Sequence, residues 1–209
     1  MEELLRFQKN LKFIVWDLET CNLNLLQDNH PWQLSFSVCE GNRVVEEHDL
    51  FPFWADLQMG KGAAQITRFN YHEYKRKSSD ATACLDLFES YAYNKDYLLV
   101  GHNILGFDCY VHQIYRQLLG RPKDYSYMDR CIDTNILAKS LKLDMKPDGD
   151  RLSWQYRLGS IIRKGLKTNL ALTAKEQSIP YDKNMLHSGS YDIGINRQVF
   201  LKLIQVVDI

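Results

Sequence analysis

Hydrophobic positions along this chain fall into short solid runs and helical stripes, and their order predicts most of the architecture. Phe13-Ile14-Val15-Trp16 is an unbroken apolar run of strand length, the pattern of a strand covered on both faces. Trp32 to Cys39 and Arg43 to Phe51 have strand composition, with Glu40-Gly41-Asn42 between them as a hairpin turn. Tyr97 to Val100 is a second wholly apolar strand, and Arg130 to Thr134 a fifth in chain order. Helical spacing marks Ala81 to Tyr93, capped by Asp80, and Cys109 to Leu119, stopped by Gly120 and Pro122. It also marks the stretch from the fifth strand through Leu143, and Ile193 to Val207 with Ile195, Val199, Leu203 and Val206 on one stripe. Residues 3 to 12, with Leu4, Leu5, Phe7 and Leu11, read as a short amphipathic helix. Cys21 to His30 reads as a loop, and Pro52 to Ser79, which has no clear period and carries Lys75-Arg76-Lys77, as a surface excursion. A hairpin followed by β-α-β units predicts an α/β fold: a mixed sheet with helices on its faces.

Composition narrows the picture. The 209 residues fit one domain over 1–209, and 45% hydrophobic with 25% charged residues is the balance of a globular chain. With 26 basic and 26 acidic residues there is no global attraction for a polyanion, so any nucleic-acid contact must be local. The place for it is Lys139 to Lys167, where Lys139, Lys142, Lys146, Arg151, Arg157, Arg163, Lys164 and Lys167 face only Asp144, Asp148 and Asp150. A solvated helical face explains that charge equally well. Trp154 and Tyr156 in the same region are either stacking groups or core. No apolar run reaches the length of a membrane span, and Met1-Glu2-Glu3 has the wrong charge to begin a secretory signal. A cytoplasmic protein with no membrane partner is expected. The five cysteines are odd in number and form no Cys-x-x-Cys pair, which fits small buried side chains rather than a disulfide framework or zinc site.

The candidate chemistry begins where the first strand ends. Asp17 and Glu19 follow the apolar run and, two apart on a strand, share one face, with Leu18 on the other. Two neighbouring carboxylates repel, and a divalent cation would neutralise them. Taken alone, so common a pair reads more readily as an ordinary strand end, with Asp17 capping a turn and Glu19 in solvent. Asp108, however, lies where a helix begins after another strand, and Asp192 lies near the start of the last helix. Strand ends of open α/β sheets are where sites form.

Asp17 and Glu19 on a strand, Asp108 after Gly101-His102-Asn103, and His187 five residues before Asp192 occur in an order that resembles the DEDDh branch of the DnaQ-like 3′-5′ exonucleases. The resemblance runs from Phe13 to about Phe200. A sister branch has Tyr four residues before its last Asp; here that residue is Ser188, so the histidine branch fits. The resemblance implies a ribonuclease H-like mixed five-stranded sheet, an antiparallel hairpin plus parallel strands, with helices on both faces. It implies that Asp17, Glu19, Asp108 and Asp192 hold two divalent ions, Mg²⁺ or Mn²⁺, with Asp17 bridging them, a task suited to carboxylate oxygens. His187 would take the proton from the attacking water. Five residues turn about 500° on a helix, so His187 belongs to the loop or first turn before Asp192. The backbone around Leu18 and Thr20, together with Asn103, would contact the terminal nucleotide.

Three departures from the family pattern stand out. The interval from Asn103 to Asp108 is one residue longer than the compact form, and Gly189 and Ile193 replace alanines of the last motif. The expected activity is removal of nucleoside monophosphates from single-stranded 3′ ends, DNA ahead of RNA. An RNA-trimming enzyme of the same fold, or a catalytically silent module binding nucleic acid or a replication or repair partner, are the alternatives. The chain stops soon after the last motif, which leaves a free-standing nuclease or a separate proofreading subunit as the expectation; the oligomeric state is open.

Overall fold

The computed structural model describes residues 4–209; Met1-Glu2-Glu3 lie outside the described residues, and with them the first position of the helix expected over 3 to 12. The strands are β1 (Lys12–Thr20), β2 (Pro31–Glu40), β3 (Arg43–Leu50), β4 (Leu98–Gly101) and β5 (Cys131–Asp133). Among the described residues they form one sheet in the order β3-β2-β1-β4-β5. The hairpin pairs antiparallel, while β1, β4 and β5 run parallel. The helices are α1 (Lys61–Thr67), α2 (Tyr71–Lys77), α3 (Ala81–Ala92), α4 (Asp108–Leu118), α5 (Thr134–Leu143), α6 (Arg151–Gly159), α7 (Leu170–Glu176) and α8 (Gly189–Leu203).

The apolar run in β1 is central because both its faces are needed. Phe13 and Val15 pack with Ile136 and Leu137 of α5 and Val199, Phe200 and Leu203 of α8. Ile14, Trp16 and Leu18 pack on the other side with Leu85 and Phe88 of α3 and Val111 and Tyr115 of α4. Phe13 through Trp16 are wholly buried, and each such side chain contributes about 1.5–3 kcal/mol of transfer free energy. Helices thus cover both faces of the sheet, as the sequence pattern requires. Pairing of β1 with β4 ends at Val15 with Val100, so Asp17 and Glu19 run on past β4 and stand at the sheet's carboxyl end. The open edge at β5 is closed by α6: Gln155 donates to the Cys131 carbonyl at 2.9 Å and accepts from the Asp133 amide at 2.8 Å, replacing a missing strand.

The structure differs from the sequence pattern in four places. Only Leu5–Phe7 form a single 3-10 turn where a helix was expected. Leu5 N–H is drawn to the Ile209 carbonyl and Leu11 C=O to the Gly41 amide, each at 2.8 Å, so tertiary partners take the bonds a helix would need. The stretch from Pro52 to Ser79 is no simple excursion but carries α1 and α2, each too short to show a period. Tyr74 of α2 is buried with Trp32 and Phe51, its hydroxyl donating to Pro52 O and accepting from Trp54 N–H. Helices α6 and α7 were not anticipated, and the last helix begins at Gly189, four residues ahead of Ile193, and ends at Leu203. Trp154 is core, at 2% exposure. All five cysteines are free and buried. Among the described residues, no helix is long and apolar enough to cross a membrane.

Candidate active site

Three elements deliver acids to the carboxyl end of β1. Asp17 and Glu19 sit on its last turn of pleat, with Asp17 opposite Ser35 and Glu19 opposite Gln33 of β2. Asp108 opens α4 and is buried, its Oδ1 accepting the Leu18 amide of β1 at 2.9 Å. That bond is available because β1 has outrun β4. Asp192 occupies the first turn of α8 and accepts the His187 amide on Oδ2 at 2.9 Å. Its other oxygen, Oδ1, is buried without a partner.

The four carboxylates share one electrostatic field. Burial, then the charges of Asp17, Asp192 and Asp108, push Glu19 up to about 9. Burial and Asp192 push Asp17 up to about 7. Asp108 is raised well above the usual carboxylate range by burial and by Asp17. Burial lifts Asp192 to about 6, against the pull of the His187 N–H. Such mutual repulsion at a strand end is what a cation would relieve. The orphaned Asp192 Oδ1 and the all-oxygen donor set fit a hard divalent ion. Among the described residues, however, no three His, Cys, Asp or Glu side chains are drawn together into a ready-made cation cage. Closing on a common ion therefore requires these side chains to turn toward it.

His187 lies in the loop immediately before α8, exposed and in the left-handed region at φ 64°. Its backbone bond to Asp192 ties the two residues into one turn. Gly189 is where the structure explains a departure from the family pattern: a Cβ there would meet Ser35 Oγ at 2.3 Å and Gln33 Cδ at 3.3 Å. Alanine would push α8 off β2. Ile193 is buried in the layer between sheet and α8.

The expected nucleotide contacts are placed less simply. The Leu18 amide is spent on Asp108, and the Thr20 hydroxyl donates to Asn22 O. Asn103 is exposed at φ 67°, with its N–H donated to Asp133 Oδ1 at 2.7 Å and its side chain facing Asn135 at 3.4 Å. The extra residue before Asp108 is absorbed in a tight turn, since Asn103 O accepts from both Gly106 and Phe107 at 3.0 Å. Phe107 is half-buried against the α3–α4 layer.

Sequence reasoning missed Asp133. It is 1% exposed and accepts the amides of Asn103, Leu105 and Asn135, so it caps α5 and anchors the loop that leads to Asp108. Its last place in a strand, followed by a helix, was the available signal. Gln33 and Ser35 were missed as well; both donate to Asp49 Oδ1, at 2.6 and 2.7 Å, and form the floor on which Gly189 rests. Only strand register reveals them. Of the basic stretch, Lys139, Lys142, Arg151 and Arg157 are spent on internal acceptors.

Sheet order and helices on both faces give this chain the fold seen in solved exonuclease I structures. Among solved structures, E. coli exonuclease I in complex with a dA16 oligonucleotide matches at a TM-score of 0.73 and 17% identity, over 94% of this chain and 41% of that one. A product-bound exonuclease I matches at 0.71 and 18%, over 95% and 44%. The zinc-bound form of the E. coli enzyme with single-stranded DNA matches at 0.72 and 16%, over 93% and 40%. The chain thus spans less than half the length of these proteins. No protein-family profile matches the sequence, and no curated protein matches it.

Proposed function

We propose that this chain is a metal-dependent 3′-5′ exonuclease that removes nucleoside monophosphates from single-stranded ends, DNA in preference to RNA. One observation carries the proposal: β1, α4 and α8 bring four carboxylates to the sheet's carboxyl end beside a histidine, where burial raises the proton affinity of all four and neighbouring acids raise that of Asp17, Glu19 and Asp108 further. The likeness to exonuclease I, solved with single-stranded oligonucleotides, supports the substrate. Mg²⁺ or Mn²⁺ held by Asp17, Glu19, Asp108 and Asp192, two ions in the full site, would neutralise charge on the attacking and leaving oxygens. Asp108, braced by the Leu18 amide, and Asp17 on β1 present oxygens from the rigid sheet side. Asp192 presents a free Oδ1 while its Oδ2 holds the His187 backbone. The His187 imidazole, on its exposed loop, accepts a proton from the water that attacks the terminal phosphodiester. Leu18, Thr20 and Asn103 border the place of the terminal nucleotide.

End-labelled oligonucleotides with Mg²⁺ or Mn²⁺ test this. Wild type should shorten them stepwise from the 3′ end, Asp17→Asn should fall to background, and His187→Ala should lose about 10²–10⁴-fold in rate. If supplemented wild type is no faster than Asp17→Asn, the proposal fails.

A further inference from the structure

Arg68 is the one arginine of this chain held in the left-handed region among the described residues, at φ 55° and ψ 36° as the C-cap of α1. That conformation is glycine's place at a helix end. Arginine there carries a cost that a role at a site would repay. Its guanidinium reaches across to donate to the Asn184 carbonyl, in the loop that carries His187. Asp182, two residues earlier, is tied to the Tyr191 hydroxyl at 2.6 Å. His187, itself at φ 64°, is tied to Asp192.

Arg68 and His187 both line a cavity of about 210 Å³ between the start of α8 and α2. Gln33, Asn70, Ser188 and Ser190 line it too. Ser188 stands at the N-cap of α8 yet makes no capping bond, so its hydroxyl is free to donate. The walls hold compensating charges. Lys77 is paired with Glu73 at 2.7 Å, and Asp49 accepts from Gln33 and Ser35. Among the described residues, Arg68 has no carboxylate partner, so four of its five N–H donors face no acceptor of the protein. A cavity of this size, open to solvent, takes the sugar and phosphate of a nucleotide and leaves the base at its mouth, and the guanidinium fork matches a phosphate.

We propose that Arg68 is a phosphate-binding residue of this cavity and that the ligand it takes is a nucleoside 5′-monophosphate. The inference rests on the nuclease reading for the identity of that ligand, and assigns Arg68 to holding the released nucleotide beside His187. The test is calorimetric titration of the metal-free full chain with dTMP and with thymidine, which needs no hydrolysis. Wild type should bind dTMP saturably. Arg68→Ala should bind it at least about tenfold more weakly, and Arg68→Lys should fall between, because it keeps charge but loses the fork. Thymidine should bind both proteins alike. Arg68→Gly should lose dTMP as fully as Arg68→Ala while melting no lower than wild type, because glycine suits the backbone; weak binding then cannot be blamed on unfolding. Equal dTMP affinity in wild type and Arg68→Ala, or no saturable binding by wild type, overturns the proposal. Arg68-dependent binding in a chain that digests no oligonucleotide would refute the nuclease reading alone.

Discussion

Asp17, Glu19 and Asp192 each hold their protons to higher pH in the fold than the usual carboxylate range near 4. The folded chain therefore binds more protons than the unfolded one between about pH 4 and 9, and stability contributed by these acids falls as pH rises through that window. Half-buried His102, pushed down to about 4 by desolvation and bonded to Thr134 at 2.9 Å, acts with the opposite sign, its penalty vanishing as pH rises toward 6.5. The difference between wild type and Asp17→Asn isolates the acids. Without metal, Asp17→Asn should be no more stable than wild type at pH 5 but more stable by about 1–2 kcal/mol at pH 8.5, read by thermal or urea unfolding. Mg²⁺ at pH 8.5 should raise the melting temperature of wild type and leave the variant nearly unmoved. Equal pH dependence in the two proteins would show that the fold does not raise Asp17.

At the scale of elements, the site depends on where α8 starts. The apolar stripe begins at Ile193, yet the helix runs from Gly189 because Ser35 and Gln33 leave room there for a backbone without Cβ. That extra turn brings Asp192 inside the helix and His187 to its threshold. Gly189→Ala should cost about 1–3 kcal/mol, the range for overpacking. It should also depress the proposed nuclease activity, since the shift is passed to Asp192. The contact at 2.3 Å is with the Ser35 hydroxyl, so Ser35→Ala should restore much of the loss in the double variant. A double variant no better than Gly189→Ala alone would place the strain elsewhere. Hydrophobic periodicity could not show this start, because a helix's first turn here is set by β2 and not by its own apolar stripe. The short α1 and α2 escaped notice for a related reason: each buries a single side chain, Ala63 or Tyr74, and one position makes no period.

For the molecule as a whole, the sheet places chemistry at one end and packing in the middle. Substrate choice is a property at this scale, because discrimination between DNA and RNA needs contacts around the ribose that several elements supply together. Competition between matched single-stranded DNA and RNA 3′ ends should favour DNA, consistent with the likeness to exonuclease I bound to dA16. Preferential trimming of RNA would instead assign a site that engages the 2′-hydroxyl.

By itself the sequence determined the central strand, the hairpin, the helical layers on both faces and the positions of Asp17, Glu19, Asp108, Asp192 and His187 along the chain. These are legible because strand and helix periods, and acids at their ends, are local patterns written within a few residues. Only the tertiary structure decided that Leu18 braces Asp108, that Asp133 anchors the turn after β4, that Gly189 rests on Ser35, and that Arg68 reaches the His187 loop. Each of these joins residues from 30 to 154 positions apart, and no local period carries such information; it arises when the sheet's register brings distant segments to the same end.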